Sequence, residues 1–326
     1  MSAPCISRIV RQAFRRRVHP AAFLVFAVFM ALSSPAALAQ VTCTASFSSI
    51  SFGAVSVLQG AAVNSAGALS ASCSGFQGAN DRVRMCFTMG AGTYPLSGSL
   101  RQLGSGADRA AFQIYSDAAR TSVWDASLTN APSVILTRDA PSAVIPVYAQ
   151  LIAGQKTTPP GAYSTLMNVA RYQAVYNGQP PPCASIVSAS ALSFPVDATI
   201  PSGCSATATN LSFGSVSDFS NAVDASSMIY VLCTNSTPYH VRLNAGASGL
   251  NASQRSMTFG ANSIPYDLYR DAARTLKWGA SDGVDTVGGI GTAGSVGHTV
   301  YGRIPAQPRK PPGAYTDTVI VTISFL

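Results

Sequence analysis

Hydrophobic and polar residues alternate along many short segments of this chain, and turn-forming residues separate those segments. In the last segment, residues 318–326, four apolar side chains share one face: Val319, Val321, Ile323 and Phe325. A repeat of two residues is typical of a β-strand that is buried on one side. Residues 264–269 and 299–304 show a similar alternation, with glycine-rich turns between them. This pattern predicts an all-β chain of the immunoglobulin-like sandwich type.

The chain also contains an internal repeat. Four elements occur in the same order in both halves: the cysteine pairs Cys43/Cys73 and Cys204/Cys233, the tetrapeptides at 50–53 and 211–214, the Asp-Ala-Ala-Arg-Thr segments at 117–121 and 271–275, and the Pro-Pro-Gly-Ala-Tyr segments at 159–163 and 311–315. The offset between the copies drifts only from 161 to 152 residues. We therefore predict two tandem immunoglobulin-like β-sandwich domains, at residues 40–200 and 201–326.

The two copies differ at their ends. At an offset of 152, Leu326 corresponds to Ala174, and the first copy continues beyond that point to Ile200. The continuation includes residues 190–196, which form a further strand candidate. We therefore expect the second domain to be an incomplete sandwich that lacks its last strand and exposes an apolar edge. Few residues precede Cys43 in the mature chain, so we expect the chain to accept a strand rather than to donate one.

Residues 1–39 have the pattern of a secretory signal peptide. A basic stretch is followed by the apolar run 21–32 and by an Ala-Leu-Ala cleavage site before Gln40. The leader contains five of the 21 basic residues and no acidic residue, so the mature chain has 16 basic and 13 acidic residues, a net charge of +3. That small charge removes the main support for nucleic-acid binding. Every acidic residue is Asp, and the lack of Glu argues against helices.

Six cysteines remain after removal of the leader, and an even number in an exported chain indicates disulfides. The internal symmetry favours the pairs Cys43–Cys73 and Cys204–Cys233, which leaves the unrepeated Cys86 and Cys183 for each other. The chain has no Cys-x-x-Cys motif, so we expect no zinc site, no other metal and no cofactor. It also lacks a recognisable nucleophile motif, and we expect no enzymatic activity.

A series of short motifs characterises the second domain. They are Cys204, Leu-Ser-Phe-Gly at 211–214, Cys233, Arg-Ser-Met at 255–257, Tyr-Asp-Leu-Tyr at 266–269, Trp-Gly at 278–279, the segment 300–307 and Gly-Ala-Tyr-Thr-Asp at 313–317. These motifs resemble the spore coat protein U family, whose members include subunits of archaic, Csu-type chaperone–usher pili. The first domain matches more loosely, because Tyr-Ala-Gln at 148–150 replaces the Tyr-Gly-Arg-Ile-Pro element.

The resemblance implies a pilus subunit whose missing strand is supplied by a neighbour. The strand would be added along the edge formed by Val319, Val321, Ile323 and Phe325. The implied partners are a periplasmic chaperone, an outer-membrane usher and the adjacent pilin subunit. A divergent first domain without an N-terminal extension resembles the tip adhesin, which is exported through the periplasm to the cell surface. There it would mediate attachment to an abiotic or host surface and biofilm formation. A shaft or adaptor pilin and a secreted structural coat protein of the same family are the alternatives.

Candidate adhesive residues come from features that only the first domain has. Two apolar stretches qualify: Tyr94, Pro95 and Leu96 in a glycine-rich loop, and Val134, Ile135 and Leu136. Exposed apolar loop tips would suit attachment to hydrophobic surfaces. An ordinary strand is the alternative for the second stretch. The repeated tryptophans, Trp124 and Trp278, are expected to pack in the two cores rather than to bind a ligand.

Overall fold

The computed structural model describes residues 40–325, so the predicted signal peptide lies outside the described residues. The described chain contains eighteen β-strands and two short 3₁₀ helices, Val57–Gln59 and Cys183–Ser185. Between residues 40 and 325 no helix is long and apolar enough to cross a membrane. The strands form two successive sandwiches, which confirms the predicted all-β fold class.

The first sandwich is built from ten strands: β1 (Thr42–Phe47), β2 (Ile50–Ala54), β3 (Val63–Ser74), β4 (Asp81–Met89), β5 (Arg101–Ser105), β6 (Asp108–Tyr115), β7 (Ser133–Thr137), β8 (Ser142–Leu151), β9 (Gly161–Asn177) and β10 (Ala189–Ile200). They form one curled sheet in the order β1-β3-β8-β6-β5-β9-β10-β2. Strand β4 pairs with the second half of β9, and β7 pairs with β4 at the edge. The long strand β9 therefore connects the β10 side of the sandwich to the β4 side.

The second sandwich is built from eight strands among the described residues: β11 (Cys204–Ala208), β12 (Val223–Cys233), β13 (Pro238–Leu243), β14 (Arg255–Phe259), β15 (Asn262–Tyr269), β16 (Val287–Ile290), β17 (Ser295–Ile304) and β18 (Val321–Phe325). One sheet has the order β11-β12-β17-β15-β14 and the other β16-β13-β18. These strands repeat β1, β3 to β8 and the second half of β9.

Each sandwich buries a separate apolar core between its layers. Trp124 lies in the first core and Trp278 in the second, and their side chains are 1% and 0% exposed. Each indole N–H donates a hydrogen bond of 2.8 Å to a backbone carbonyl, that of Phe87 and that of Val241. A buried indole needs such a partner. The prediction that both tryptophans are core residues is confirmed.

Three disulfides join the predicted cysteine pairs. The first and third connect residues that lie directly opposite each other, on β1 and β3 and on β11 and β12. The second joins Cys86 on β4 to Cys183, in the connection between β9 and β10. Together with Ile186 these two cysteines form a small buried cluster of their own. No group of three or more His, Cys or acidic side chains suited to a metal ion occurs within residues 40–325.

Candidate strand-acceptor groove

Strand β10 closes the first sandwich. It runs antiparallel to β9 over its whole length, with Ala189 opposite Tyr172 and Ile200 opposite Gly161. On its other side it runs parallel to β2. Strand β10 therefore provides hydrogen-bonding partners for two strands that would otherwise be unpaired edges.

The inward-facing side chains of β10 fill the first core. Four alternate residues are at most 1% exposed: Phe194, Val196, Ala198 and Ile200. The ring of Phe194 stacks on that of Phe47 from β1, with 4.6 Å between centroids and 7° between planes. Burial of four apolar side chains is the main energetic contribution that a closing strand makes to the sandwich.

Among its described residues the second sandwich has no strand in the position of β2 or of β10. Residues 211–214 are the counterpart of β2, and residues 313–320 are the counterpart of the first half of β9; neither segment belongs to a strand. Thr316 makes a single bridge to Thr258, and β18 pairs only with β13. The two segments that a closing strand would join thus border an open groove.

The floor of this groove is apolar and already formed. Phe213 lies against Gly302 of β17, where a Cβ atom would come within 3.0 Å of the ring. The ring of Phe213 meets that of Tyr266 edge to face, with 6.2 Å between centroids. The equivalent rings of the first sandwich, Phe52 and Phe112, make the same contact at 6.3 Å. The aromatic contact therefore forms with and without a closing strand.

The four predicted edge residues lie along one wall of the groove. Val321, Ile323 and Phe325 belong to β18, and Val319 precedes it. Val319, Val321 and Ile323 are half-buried against the second core. By contrast Met167, which corresponds to Val319, is fully buried beneath β10. Phe325 is 41% exposed. The strand and its alternation agree with the sequence pattern, and the groove leaves this apolar wall partly open to solvent.

One charged residue lies in the same wall. Asp317 corresponds to Thr165 of the first sandwich, and its carboxylate accepts hydrogen bonds from the Tyr266 hydroxyl at 2.6 Å and from the N–H of Ala247 at 2.7 Å. Burial, together with this carboxylate, raises the pKa of Tyr266, so the phenol stays protonated and donates at neutral pH. A strand that enters the second groove therefore meets a carboxylate at a position where the first sandwich has the neutral hydroxyl of Thr165.

The predicted adhesive loop has one packed and two solvent-facing residues. The ring of Tyr94 lies against Gly104, where a Cβ atom would come within 2.5 Å of it, and the Arg109 guanidinium lies 4.1 Å from the ring centroid. Pro95 is exposed, and Leu96 is 48% exposed. Only Pro95 and Leu96 therefore face solvent, while Tyr94 supports the loop.

The second candidate adhesive stretch is a strand, not a loop. Val134, Ile135 and Leu136 lie in β7, which pairs with β4 at the edge of the sheet. Leu136 is 1% exposed and belongs to the core, whereas Ile135 is 42% exposed. The hydrophobic run arises because one face of an edge strand is buried. Of these three residues Ile135 is the one that presents a large apolar side chain to solvent.

A buried arginine in each sandwich was missed from the sequence. Arg101 donates to the carbonyls of Met89, Gly90 and Trp124 at 2.6–3.1 Å. Arg255 donates to the three equivalent carbonyls of the second sandwich at 2.8–3.2 Å. The sequence contains two signals: Arg255 begins the Arg-Ser-Met motif, and Arg101 precedes it by the same offset that relates the two Asp-Ala-Ala-Arg-Thr segments. The carbonyl partners of each arginine lie far apart along the chain, so the contact itself has no local pattern.

A tandem of immunoglobulin-like sandwiches, one closed by its own last strand and the other open along the matching edge, defines a pilin-like class of proteins. The chain belongs to the spore coat protein U domain family: the family model matches residues 28–170 and again residues 190–322.

Individual proteins show the following similarities to this chain. Over 62 residues the chain is 37% identical to Protein U of Myxococcus xanthus, a match that covers 19% of this chain and 34% of that protein. Its fold is similar to that in the CsuC–CsuE chaperone–tip adhesion subunit pre-assembly complex from the archaic chaperone–usher Csu pili of Acinetobacter baumannii. That similarity has a TM-score of 0.52 and 20% identity, and covers 87% of this chain and 100% of that one. The CupB6 tip adhesin of Pseudomonas aeruginosa aligns over 89% of this chain and 96% of its own, at 12% identity and a TM-score of 0.40.

Proposed function

We propose that this chain is the two-domain tip adhesin of a chaperone–usher pilus, exported through the periplasm to the cell surface, where it mediates attachment and biofilm formation. One observation carries the proposal: the first sandwich is closed by β10, and the second is open along the edge where β10 would lie. The domain bounds we propose are 40–200 and 201–326. Only the second domain then needs a strand from another protein.

The open groove suits β-strand addition. Residues 211–214 and 313–320 offer backbone hydrogen-bonding groups on both sides, and the half-buried apolar wall offers pockets for alternate side chains. The solved complex of a chaperone with a tip adhesion subunit has a similar fold over most of this chain, which supports a periplasmic chaperone as the first partner. We propose the adjacent pilin as the final partner, after passage through the usher.

The chaperone step can be tested by co-purification. The mature chain, co-expressed with a periplasmic pilus chaperone, should elute as a one-to-one complex. In that complex, hydrogen exchange at residues 211–214 and 313–320 should be slower than in the chain alone. Ile323→Arg places a charge in the groove and should abolish the complex, whereas Thr322→Arg, on the outward face of β18, should leave it intact. A chain that stays soluble and monomeric with no gain in protection contradicts the proposal.

The tip position can be tested by immunogold labelling of intact pili. One label per pilus, at the free end, is the expected result. Labels spaced along the filament would instead support the shaft or adaptor role, and label spread over the cell envelope without pili would support the coat-protein role.

We further propose that Leu96 and Ile135 contribute to attachment, because both present large apolar side chains to solvent. Leu96→Ser combined with Ile135→Thr should reduce retention of piliated cells on polystyrene severalfold without changing the number of pili. Val187→Ser is the matched control, since Val187 is 94% exposed on the connection before β10. Equal loss of adhesion in the control, or no loss in the double variant, would count against this surface.

A further inference from the structure

A serine hydroxyl occupies equivalent positions in the two sandwiches, beside the closing strand β10 in the first and beside the open groove in the second. In the first sandwich the N–H of Gly53 donates to Ser51 Oγ at 3.2 Å, and Gly53 has a φ of +66°. In the second, the N–H of Gly214 donates to Ser212 Oγ at 3.2 Å, and Gly214 has a φ of +73°. This left-handed conformation favours glycine, so the Ser-Phe-Gly sequence fixes the turn. The hydrogen of each serine hydroxyl is left to donate elsewhere.

In the first sandwich that hydrogen bond goes to the closing strand. Ser51 Oγ donates to Asp197 Oδ2 at 2.6 Å, a length typical of a hydroxyl–carboxylate hydrogen bond. Asp197 lies opposite Ser51 in the parallel ladder of β10 and β2. It is on the outward face of β10, between the buried residues Val196 and Ala198. The bond therefore joins the two strands on the outer surface of the sandwich.

In the second sandwich Ser212 has the same turn geometry without the closing strand. Its Oγ accepts from Gly214 as Ser51 does from Gly53, and it donates to no residue within the described part of the chain. The serine is thus in position before a strand arrives.

The location of this hydrogen bond makes it sensitive to strand register. A slip of one residue would turn the carboxylate toward the core, because successive side chains point to opposite faces. A slip of two residues would restore the face but move the carboxylate by about 7 Å along the strand. Neither displaced carboxylate could reach the serine within hydrogen-bonding distance. Alternating apolar side chains distinguish two-residue slips less sharply, because each inward residue enters a neighbouring apolar pocket.

The geometry points to Ser212 as a register-determining residue of the second groove: it donates to a carboxylate on the incoming strand, at an outward position between two inward apolar residues. This inference rests on the proposed function. The partner is a donor strand with an Asp placed as Asp197 is in β10.

The test supplies a strand in cis to the full mature chain. A copy of residues 190–200 is fused after Leu326 through a flexible Gly-Ser linker, and a second fusion carries the N-terminal extension of the adjacent pilin. Hydrogen exchange of the amides in 211–214 and 313–320 reports insertion. In the first fusion, Ser212→Ala should speed this exchange about 5- to 30-fold. Asp197→Ala in the fused copy should do the same, and the two changes together should do no more than either alone.

Thr199→Ala in the fused copy is the matched control, because Thr199 is also outward-facing and makes no side-chain hydrogen bond to the serine. It should leave the exchange rate unchanged. If insertion protects the groove but Ser212→Ala has no effect in either fusion, the proposed role of Ser212 is overturned. The proposed strand-acceptor function of the groove is then retained. If neither fusion protects these amides, the proposed strand-acceptor function is overturned as well.

Discussion

At the scale of single residues, Arg101 holds together segments that are distant in sequence. Its guanidinium bonds carbonyls at the end of β4 and in the tryptophan loop, and it also donates to the side-chain oxygen of Gln113. Burial lowers the pKa of Arg101 to about 10, so the group is still charged at neutral pH. A buried charge with several hydrogen bonds of this kind fixes the local geometry, because no lysine could satisfy the same fork of acceptors.

His298 couples the stability of the second sandwich to pH in the range just below neutrality. It lies on β17, and a hydrogen bond of 2.9 Å joins its Nε2 to the Tyr239 hydroxyl of β13, across the core. Burial lowers the pKa of His298 below its ordinary value of about 6.5. The unfolded chain therefore binds a proton at a higher pH than the folded chain does.

We expect the second sandwich to lose stability as the pH falls below about 6.5, down to the lowered pKa of folded His298. Above that range the contribution of His298 is fully present. The thermal midpoint of the mature chain, measured from pH 7.5 to 5, should fall less in His298→Gln, which keeps an acceptor for Tyr239 but does not titrate. An identical pH dependence in both proteins would show that other groups are responsible.

At the scale of elements, β10 is the part of the chain that distinguishes the two sandwiches. Phe194→Ala removes the ring that stacks on Phe47 and should destabilise the first sandwich by about 3–5 kcal/mol. Ser193→Ala, on the exposed face of the same strand, should change the free energy of unfolding by less than about 0.5 kcal/mol. Denaturant unfolding of the mature chain, followed by hydrogen exchange of the amides in residues 40–200, measures both. Equal effects would mean that β10 contributes through its backbone alone.

The existence of β10 could be predicted from sequence, but its neighbours could not. Residues 190–196 show the alternation of a strand, and the structure extends it to Ala189–Ile200. Its parallel pairing with β2 joins residues about 146 positions apart, for example Ser51 and Asp197, and no local pattern encodes such a contact. In β7 three consecutive apolar residues do not show an alternation, although Leu136 faces the core and Ile135 faces solvent. Local periodicity is recorded in the sequence, whereas exposure depends on which strand lies alongside.

The internal repeat was sufficient to predict the open edge of the second sandwich. The apolar face from Val319 to Phe325 has a counterpart in the first copy, and in that copy a further strand candidate follows at residues 190–196. The preformed turn at Ser212 could not be predicted from the sequence. The proposed role of Ser212 follows from its counterpart Ser51, which bonds Asp197. These two residues are distant in sequence, and only the pairing of β2 with β10 brings them together.

At the scale of the whole molecule, the two sandwiches should differ in their ability to fold alone. Residues 40–200 include the closing strand β10, which pairs with both β9 and β2, and we expect them to be a stable monomer. Residues 201–326 leave a partly exposed apolar wall and two bordering segments that belong to no strand, and we expect them to aggregate or to need a chaperone. Light scattering after size-exclusion chromatography, with thermal unfolding, measures the difference. A stable, monomeric second half would contradict the incomplete-sandwich interpretation.

The disulfide between β4 and the connection before β10 has a consequence for mechanical load. In the proposed tip-adhesin role, a cell pulled by flow would place the first sandwich under tension through its covalent connection to the second sandwich at Ile200. That tension would act directly on β10. If β10 were pulled out, the extension would stop at Cys183, because this residue is covalently bound to Cys86 on β4. Only residues 184–200 could be released, roughly 60 Å of extended chain. The Cys86–Cys183 disulfide would thus limit how far the chain extends under force, and reduction of this disulfide should remove the limit.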